Sequence, residues 1–281
     1  MIFFTIEDIF AQLKILKGMI DLTRTEFEIL TGELEKGGKL PADALNALEP
    51  YRVRRAIFIA AGIGERLLPI TLNTPKPLVK VHGKRIIDGL IDACLAADIE
   101  EIYIVRGYLA EQFDLLLKKY PMIKFIENPL YDKANNISSA LCAAHLMSNA
   151  YVLEADLLIY NPALIKKYQF ASNFLGIKMA HSDDWCFDVK DGVIVNQKIG
   201  GDDCYQEVGI SYWDAASAAK LQKDLQAAFD SPGGNERYWD EVPLKIFPKN
   251  YRVKIRPCSA SDIVEIDTFD ELKAIDKAYD V

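Results

Sequence analysis

Ala56-Ile57-Phe58-Ile59, running into Ala60-Ala61-Gly62-Ile63-Gly64-Glu65-Arg66-Leu67, decides the fold. The apolar run reads as a buried strand, and it stops in a loop that carries two glycines. Arg66 follows two residues after Gly64, and Thr74-Pro75-Lys76-Pro77-Leu78-Val79 lies a short way on. Glycine lets backbone N–H groups approach an anion closely, while Arg and Lys supply positive charge. A strand feeding such a loop is how an open α/β sheet presents phosphate-binding groups at the carboxyl ends of its strands. No Gly-Lys-Ser/Thr closes the loop, so it is not a Walker loop, and the third glycine of the dinucleotide fingerprint is missing. Taken alone, Gly-x-Gly fits a tight turn equally well.

Outward from that stretch, strand and helix signals alternate. Ala56–Ala60, Glu101–Val105, Ile123–Ile126 and Tyr151–Glu154 are short apolar runs of the buried-strand type. Amphipathic stretches at Ile86–Ala96, Ala110–Tyr120 and Ile137–Met147 separate them. The alternation predicts an α/β fold, a three-layer, mostly parallel sheet with right-handed crossovers. Beyond Asp156 the rhythm changes. Phe174–Met179, Trp185–Val189, Val193–Gln197 and Gln206–Trp213 read as strands, with Asp191-Gly192 as one of the turns, and Asp214–Phe229 reads as a helix. This half is expected to be a mixed-sheet, acceptor-binding region of the same domain.

Residues 1–50 look separate from the domain at 51–281. Ile6, Ile9, Phe10, Leu13 and Leu16 recur at helical spacing, and Phe27, Leu30 and Leu34 repeat the pattern behind a capping box at Thr23 and Glu26. Pro41 opens a third short helix ending near Leu48. Three short helices resemble the front of a winged-helix module, but there is too little chain for a recognition helix and wing. Packing or formation of a homo-oligomer is the expected role of this helical extension.

With 281 residues, half of them apolar, the chain can bury a sizeable core. A net charge of −8 argues against nucleic acid and anionic membranes as partners. No apolar run approaches the ~20 residues of a membrane span, and Met1–Phe10 carries Glu7 and Asp8 with no basic start. Five cysteines fall in no Cys-x-x-Cys pair, which reads as reduced thiols and a cytoplasmic location. His82, His145 and His181 lack metal-ligand spacing.

Three further groups of residues can carry chemistry. Glu154-Ala155-Asp156 ends a buried strand, and alternation puts both carboxylates on one side, a place to hold Mg²⁺ against a phosphate or, equally, to anchor a loop. Asp267 ends the apolar run Ile263–Ile266 and can share that metal, cap the helix at Thr268–Ala278, or do both. Trp185, Tyr238, Trp239 and Asp240 combine ring faces with an acid, which suits a quaternary ammonium group as well as it suits core packing. Asn135-Asn136-Ile137-Ser138-Ser139 opens a helix whose polar groups can read a base or ribose, or simply cap the helix.

As a set, these pieces resemble the nucleotidyltransferases that activate sugars and alcohols with nucleoside triphosphates, and more closely the bacterial CTP:phosphocholine cytidylyltransferases. The resemblance runs in order from about residue 54 to 278. It rests on Ala60–Leu67, Thr74–Val79, Gly107–Asp114, Asn135–Leu141, Glu154-Ala155-Asp156, Asp184-Trp185, Gly209–Asp214, Tyr238–Asp240 and Glu265-Ile266-Asp267. It implies a Rossmann-like mixed sheet and a reaction of CTP with phosphocholine giving CDP-choline and pyrophosphate. It also implies that Ala61, Gly62 and Gly64 with Arg66 cradle the triphosphate and that Lys76 bridges the reacting phosphates. Asn135, Asn136, Ser138 and Glu154 fall at its nucleotide-binding positions. Asp156 and Asp267 would hold Mg²⁺, and Trp185, Tyr238 and Asp240 would receive the trimethylammonium head.

The chain departs from that pattern at two positions. Glu65 stands where the family has Ser or Thr, placing a negative charge beside a polyphosphate unless it points outward. Glu154 replaces the commoner Asp. Phosphoethanolamine and 2-aminoethylphosphonate are alternative acceptors, because a primary amine wants more hydrogen-bond acceptors and Glu241 and Asp183 lie near the ring residues. A sugar-1-phosphate acceptor would need polar contacts where the chain offers Trp and Tyr. A reading from another class is a nucleotide-sensing, DNA-binding regulator, against which the negative charge argues.

Overall fold

The structure, a computed structural model, describes residues 21–280. After α1 (Arg24–Glu35) and α2 (Ala42–Leu48) come β1 (Arg55–Ile59), the ribbon of β2 (Lys80–Val81) and β3 (Lys84–Arg85), α3 (Ile86–Ala96), β4 (Glu101–Arg106), a 3-10 helix (Ala110–Lys118) and β5 (Lys124–Glu127). α4 (Ile137–Ala143), β6 (Ala150–Glu154), β7 (Leu157–Ile159), β8 (Asn173–Lys190) and β9 (Val193–Trp213) follow. α5 (Ala215–Phe229), a π-helix (Val242–Ile246), β10 (Lys254–Cys258), β11 (Ile263–Glu265) and α6 (Phe269–Ile275) complete the chain.

Seven strands form one sheet in the order β10-β8-β9-β6-β1-β4-β5. β1 lies parallel to both β4 and β6, and β4 to β5, whereas β9 runs antiparallel to β6 and β8. This is the expected three-layer mixed sheet. Its two cores follow from the period of two along each strand. Ala56, Phe58, Ile102, Ile104, Tyr151 and Leu153 point to the side covered by Ile87, Leu90 and Ile91 of α3. Ile57, Val105, Ala150 and Val152 point to the other, against α4, α5 and the π-helix.

Three elements differ from their sequence patterns. The stretch from Ala110 is a 3-10 helix rather than an α-helix, and its buried Phe113 and Leu116 are spaced by the three residues of one 3-10 turn. The helix predicted to run to Met147 stops at Ala143 and tightens into a 3-10 turn at Ala144–Leu146. The four strands expected between 174 and 213 are two long ones, because the apparent break at Asp183-Asp184 is absorbed as a register shift between Ser182 and Trp185. Asp191 and Gly192 both take positive φ, as a two-residue hairpin turn requires.

The capping box of Thr23 and Glu26 and the helix behind Pro41 are present. Leu22, Phe27, Leu30, Leu40, Ala44 and Leu48 form their own cluster, closed by Tyr51, Tyr168 and Phe170. The helix read from Ile6 to Leu16 lies outside the described residues. Among those that are described, no helix is long and apolar enough to cross a membrane.

Candidate active site

The carboxyl ends of β1 and β6 open on a cavity of about 760 Å³. The loop after β1 supplies Ala61, Gly62, Gly64 and Arg66 to its wall. Gly64 has φ +70°, and a side chain at Gly62 would meet nothing within 4 Å, so the loop presents bare backbone. Glu65 is exposed on the same rim.

Lys76 is nearly buried, at 8 % exposure. Its Nζ donates to Asp156 Oδ2 at 2.7 Å and to Asp267 Oδ1 at 2.8 Å. Asp267 Oδ1 also accepts from Arg66 Nη2 at 2.8 Å. The two carboxylates meet because β11 pairs with β7 and Ile266 N donates to the Asp156 carbonyl, which brings Asp267 to the end of β6. The cap of α6 is Thr268, in a capping box with Glu271, and Glu271 Oε2 also accepts from Asp267 N at 2.7 Å. Asp267 is therefore not the cap, and its side chain is left for Lys76 and Arg66.

Acids outnumber bases here. Glu154, Asp156 and Glu265 bring ligand oxygens within 4.8 Å of one another, and Asp156 Oδ1 is buried with no donor. Burial, aided by the neighbouring carboxylates, pushes Glu154 well above the ordinary Glu range and Glu265 up to about 10. Burial alone would lower Lys76, but Asp156 and Asp267 outweigh it and hold its pKa above the ordinary value. Asp267 is the converse: burial pushes it up, and Lys76 and Arg66 bring it below the ordinary Asp range. A buried orphan oxygen among crowded carboxylates is what a divalent cation satisfies, so these residues fit Mg²⁺. Glu265 lies in one of the stretches that carry the resemblance but was given no role there, and Asp267 lies outside the three-acid group.

Gly209 on β9 is the counterpart of Glu154. A Cβ there would sit 2.3 Å from the Glu154 carboxylate, so the glycine makes room for the longer acid.

Trp185 and Tyr238 line the same cavity with ring centroids 5.7 Å apart, near perpendicular, and Asp184, Glu207 and Asp240 join them. Trp239 does not take part. It is buried against Phe174 and Trp213, so the aromatic set has two rings rather than three. Glu241 is occupied by Lys245, and Asp183 pairs with His181 in solvent. The second acid is instead Glu207, from β9. Burial and Asp240 push Glu207 well above the ordinary Glu range, and burial lifts Asp240 to about 6 despite a bond from Gln197.

Asn135 and Asn136 also line the cavity, with Asn128, Tyr131 and Ser139 beside them. Asn136 caps nothing: its Oδ1 accepts from Trp239 N at 2.9 Å. Ser138 is displaced from the role expected of it. Its hydroxyl donates to the Asn135 carbonyl and accepts from Asn128, and it does not reach the cavity, whereas Ser139 does.

An anion cradle of glycine and Arg at the end of a parallel strand, a buried Lys and converging acids define a transferase of nucleotidyl groups. Comparisons with known proteins agree. Residues 55–174 match the nucleotidyl transferase family. A 2-aminoethylphosphonate cytidylyltransferase of Lancefieldella rimae is 37% identical over 228 residues, 80% of this chain and 92% of that one. A choline-phosphate cytidylyltransferase of Streptococcus pneumoniae is 31% identical over 229 residues, 79% of this chain and 97% of its own. The solved structure of the CTP:phosphocholine cytidylyltransferase from Streptococcus pneumoniae matches with a TM-score of 0.74 at 29% identity, covering 81% of this chain and 99% of that one. The chain belongs to the nucleotidyl transferase family.

Proposed function

We propose that the protein transfers CMP from CTP to a small phosphate or phosphonate that carries a positively charged amine, releasing pyrophosphate. The observation that carries this reading is the pairing, in one cavity, of the glycine-Arg-Lys lip with Glu207 and Asp240 beside Trp185 and Tyr238. A sugar phosphate would find two rings and buried acids where it needs neutral hydrogen-bonding groups. Relatives that act on CTP support the choice of nucleotide.

In the reaction, an oxygen of the acceptor phosphate or phosphonate attacks the α-phosphorus of CTP. A P–O–P anhydride bond forms and the bond to the β-phosphate oxygen breaks. That oxygen is already an anion at neutral pH, so no general base is needed. The barrier is repulsion between anions, and positioning and fixed charge lower it. Backbone N–H groups at Ala61–Gly64 and the Arg66 guanidinium would take the triphosphate, and Lys76 would hold the two reacting phosphates together. Asp156 and Asp267 would hold Mg²⁺, with Glu154 and Glu265 behind them. When bound, the ion neutralises phosphate charge and orients the polyphosphate. Asn135, Asn136 and Ser139, which line the cavity, would contact the nucleoside.

Two acids with only two rings favour a primary ammonium, as in 2-aminoethylphosphonate or phosphoethanolamine, because its N–H groups need acceptors. The trimethylammonium of phosphocholine is the second reading, favoured by the ring pair. Side-by-side kinetics with CTP separates them. The leading reading expects the highest kcat/KM for a primary amine, and a preference for phosphocholine would reverse the order.

A further inference from the structure

Gln197 on β9 is 1 % exposed and lies behind the cavity wall rather than in it. Its Nε2 donates to Glu207 Oε2 at 2.8 Å and also to Asp240 Oδ2. One amide thus spends its hydrogens on two carboxylates that come from different parts of the chain. In this orientation both amide hydrogens face carboxyl oxygens. The cost is visible at the other end, where Gln197 Oε1 is buried with no donor.

Among the described residues, no Lys, Arg or His forms an ion pair with Glu207 or Asp240. Their titratable neighbours Glu154, Glu241 and Glu265 are acids as well. Buried acids with a purely structural task are ordinarily neutralised by a cation. Here a neutral amide fixes them, and no cation of the protein takes up their oxygens.

We propose that Gln197 is a positioning residue that sets selectivity for a cationic acceptor, holding the Glu207 and Asp240 carboxyl groups together without a cation of the protein's own, so that their free oxygens are left for the substrate amine. This rests on the function proposed above, and the test separates the two. Gln197→Met keeps length and bulk but removes both donors, and Gln197→Asn keeps the amide but is too short to reach both acids. Steady-state kinetics of each variant is measured with CTP against 2-aminoethylphosphonate and against ethylphosphonate, which lacks the amine.

The expected result is a rise of about tenfold or more in KM for 2-aminoethylphosphonate, equivalent to about 1.4 kcal/mol. KM for CTP should hold within about twofold, and the preference over ethylphosphonate should fall by the same factor as the amine's KM rises. A merely structural residue would depress both acceptors alike, and an unchanged ratio overturns the proposal. Should the variants not fold, the side-chain amide ¹⁵N signal of Gln197 in the unaltered protein decides. It must shift on adding 2-aminoethylphosphonate and stay in place with ethylphosphonate, and an immobile signal overturns the proposal. If the unaltered enzyme itself shows no preference for the amine, the proposed function fails and this inference with it.

Discussion

Lys76 is the residue on which the proposed chemistry turns. Its Nζ is shared by Asp156 and Asp267, so it is a cation that ties the acidic tips of two strand ends together. Lys76→Ala should lower kcat by about a hundredfold or more, the scale of removing one fixed electrostatic stabiliser, and a near-normal kcat in steady-state assays would remove Lys76 from the mechanism. Lys76, Asp156 and Asp267 were legible because their residue types and order match a family pattern. Glu207 and Gln197 were not, since a lone acid or amide inside a strand carries no signal until the sheet shows what it faces. Trp239 misled for the opposite reason: beside Tyr238 and Asp240 it shares their composition, but it is turned into the core on Phe174 and Trp213.

At the scale of elements, β1, β4, β6 and α3 were readable because their apolar runs are continuous and largely buried. In the hairpin of β8 and β9 the Asp191-Gly192 turn was readable, and the continuity of the two long strands was not. Its polar, bulged middle looks like turn sequence, and only the partner strand shows that pairing continues through it. The hairpin contributes both Trp185 and Gly209 to the site. Gly209→Ala would put a methyl 2.3 Å from the Glu154 carboxylate, and that side chain must move because the strand cannot. The expected outcome is weaker CTP binding by isothermal titration, by about tenfold, with thermal stability little changed. Unaltered binding would show that Glu154 has room to adjust without consequence.

Across the described residues, the candidate cavity and the helices α1 and α2 draw on different residues. Phe27 packs on Tyr51 and Phe170, which are stacked 5.4 Å apart, and no residue of α1 or α2 lines the cavity. Phe27→Ala should cost about 3–5 kcal/mol of local stability. Hydrogen exchange should then rise in residues 22–51 while kcat stays the same, and a matching loss of activity would tie the extension to catalysis. The layered sheet was legible from the alternation of strand and helix, whereas the docking of the extension was not, because Tyr168 and Phe170 lie in a loop without periodicity. ³¹P NMR of the protein with CTP, Mg²⁺ and 2-aminoethylphosphonate observes the proposed reaction directly. A new phosphonate–phosphate anhydride should appear in equal amount with pyrophosphate. CTP that stays intact, or that is hydrolysed to CMP with no anhydride formed from this acceptor, phosphoethanolamine or phosphocholine, would contradict it.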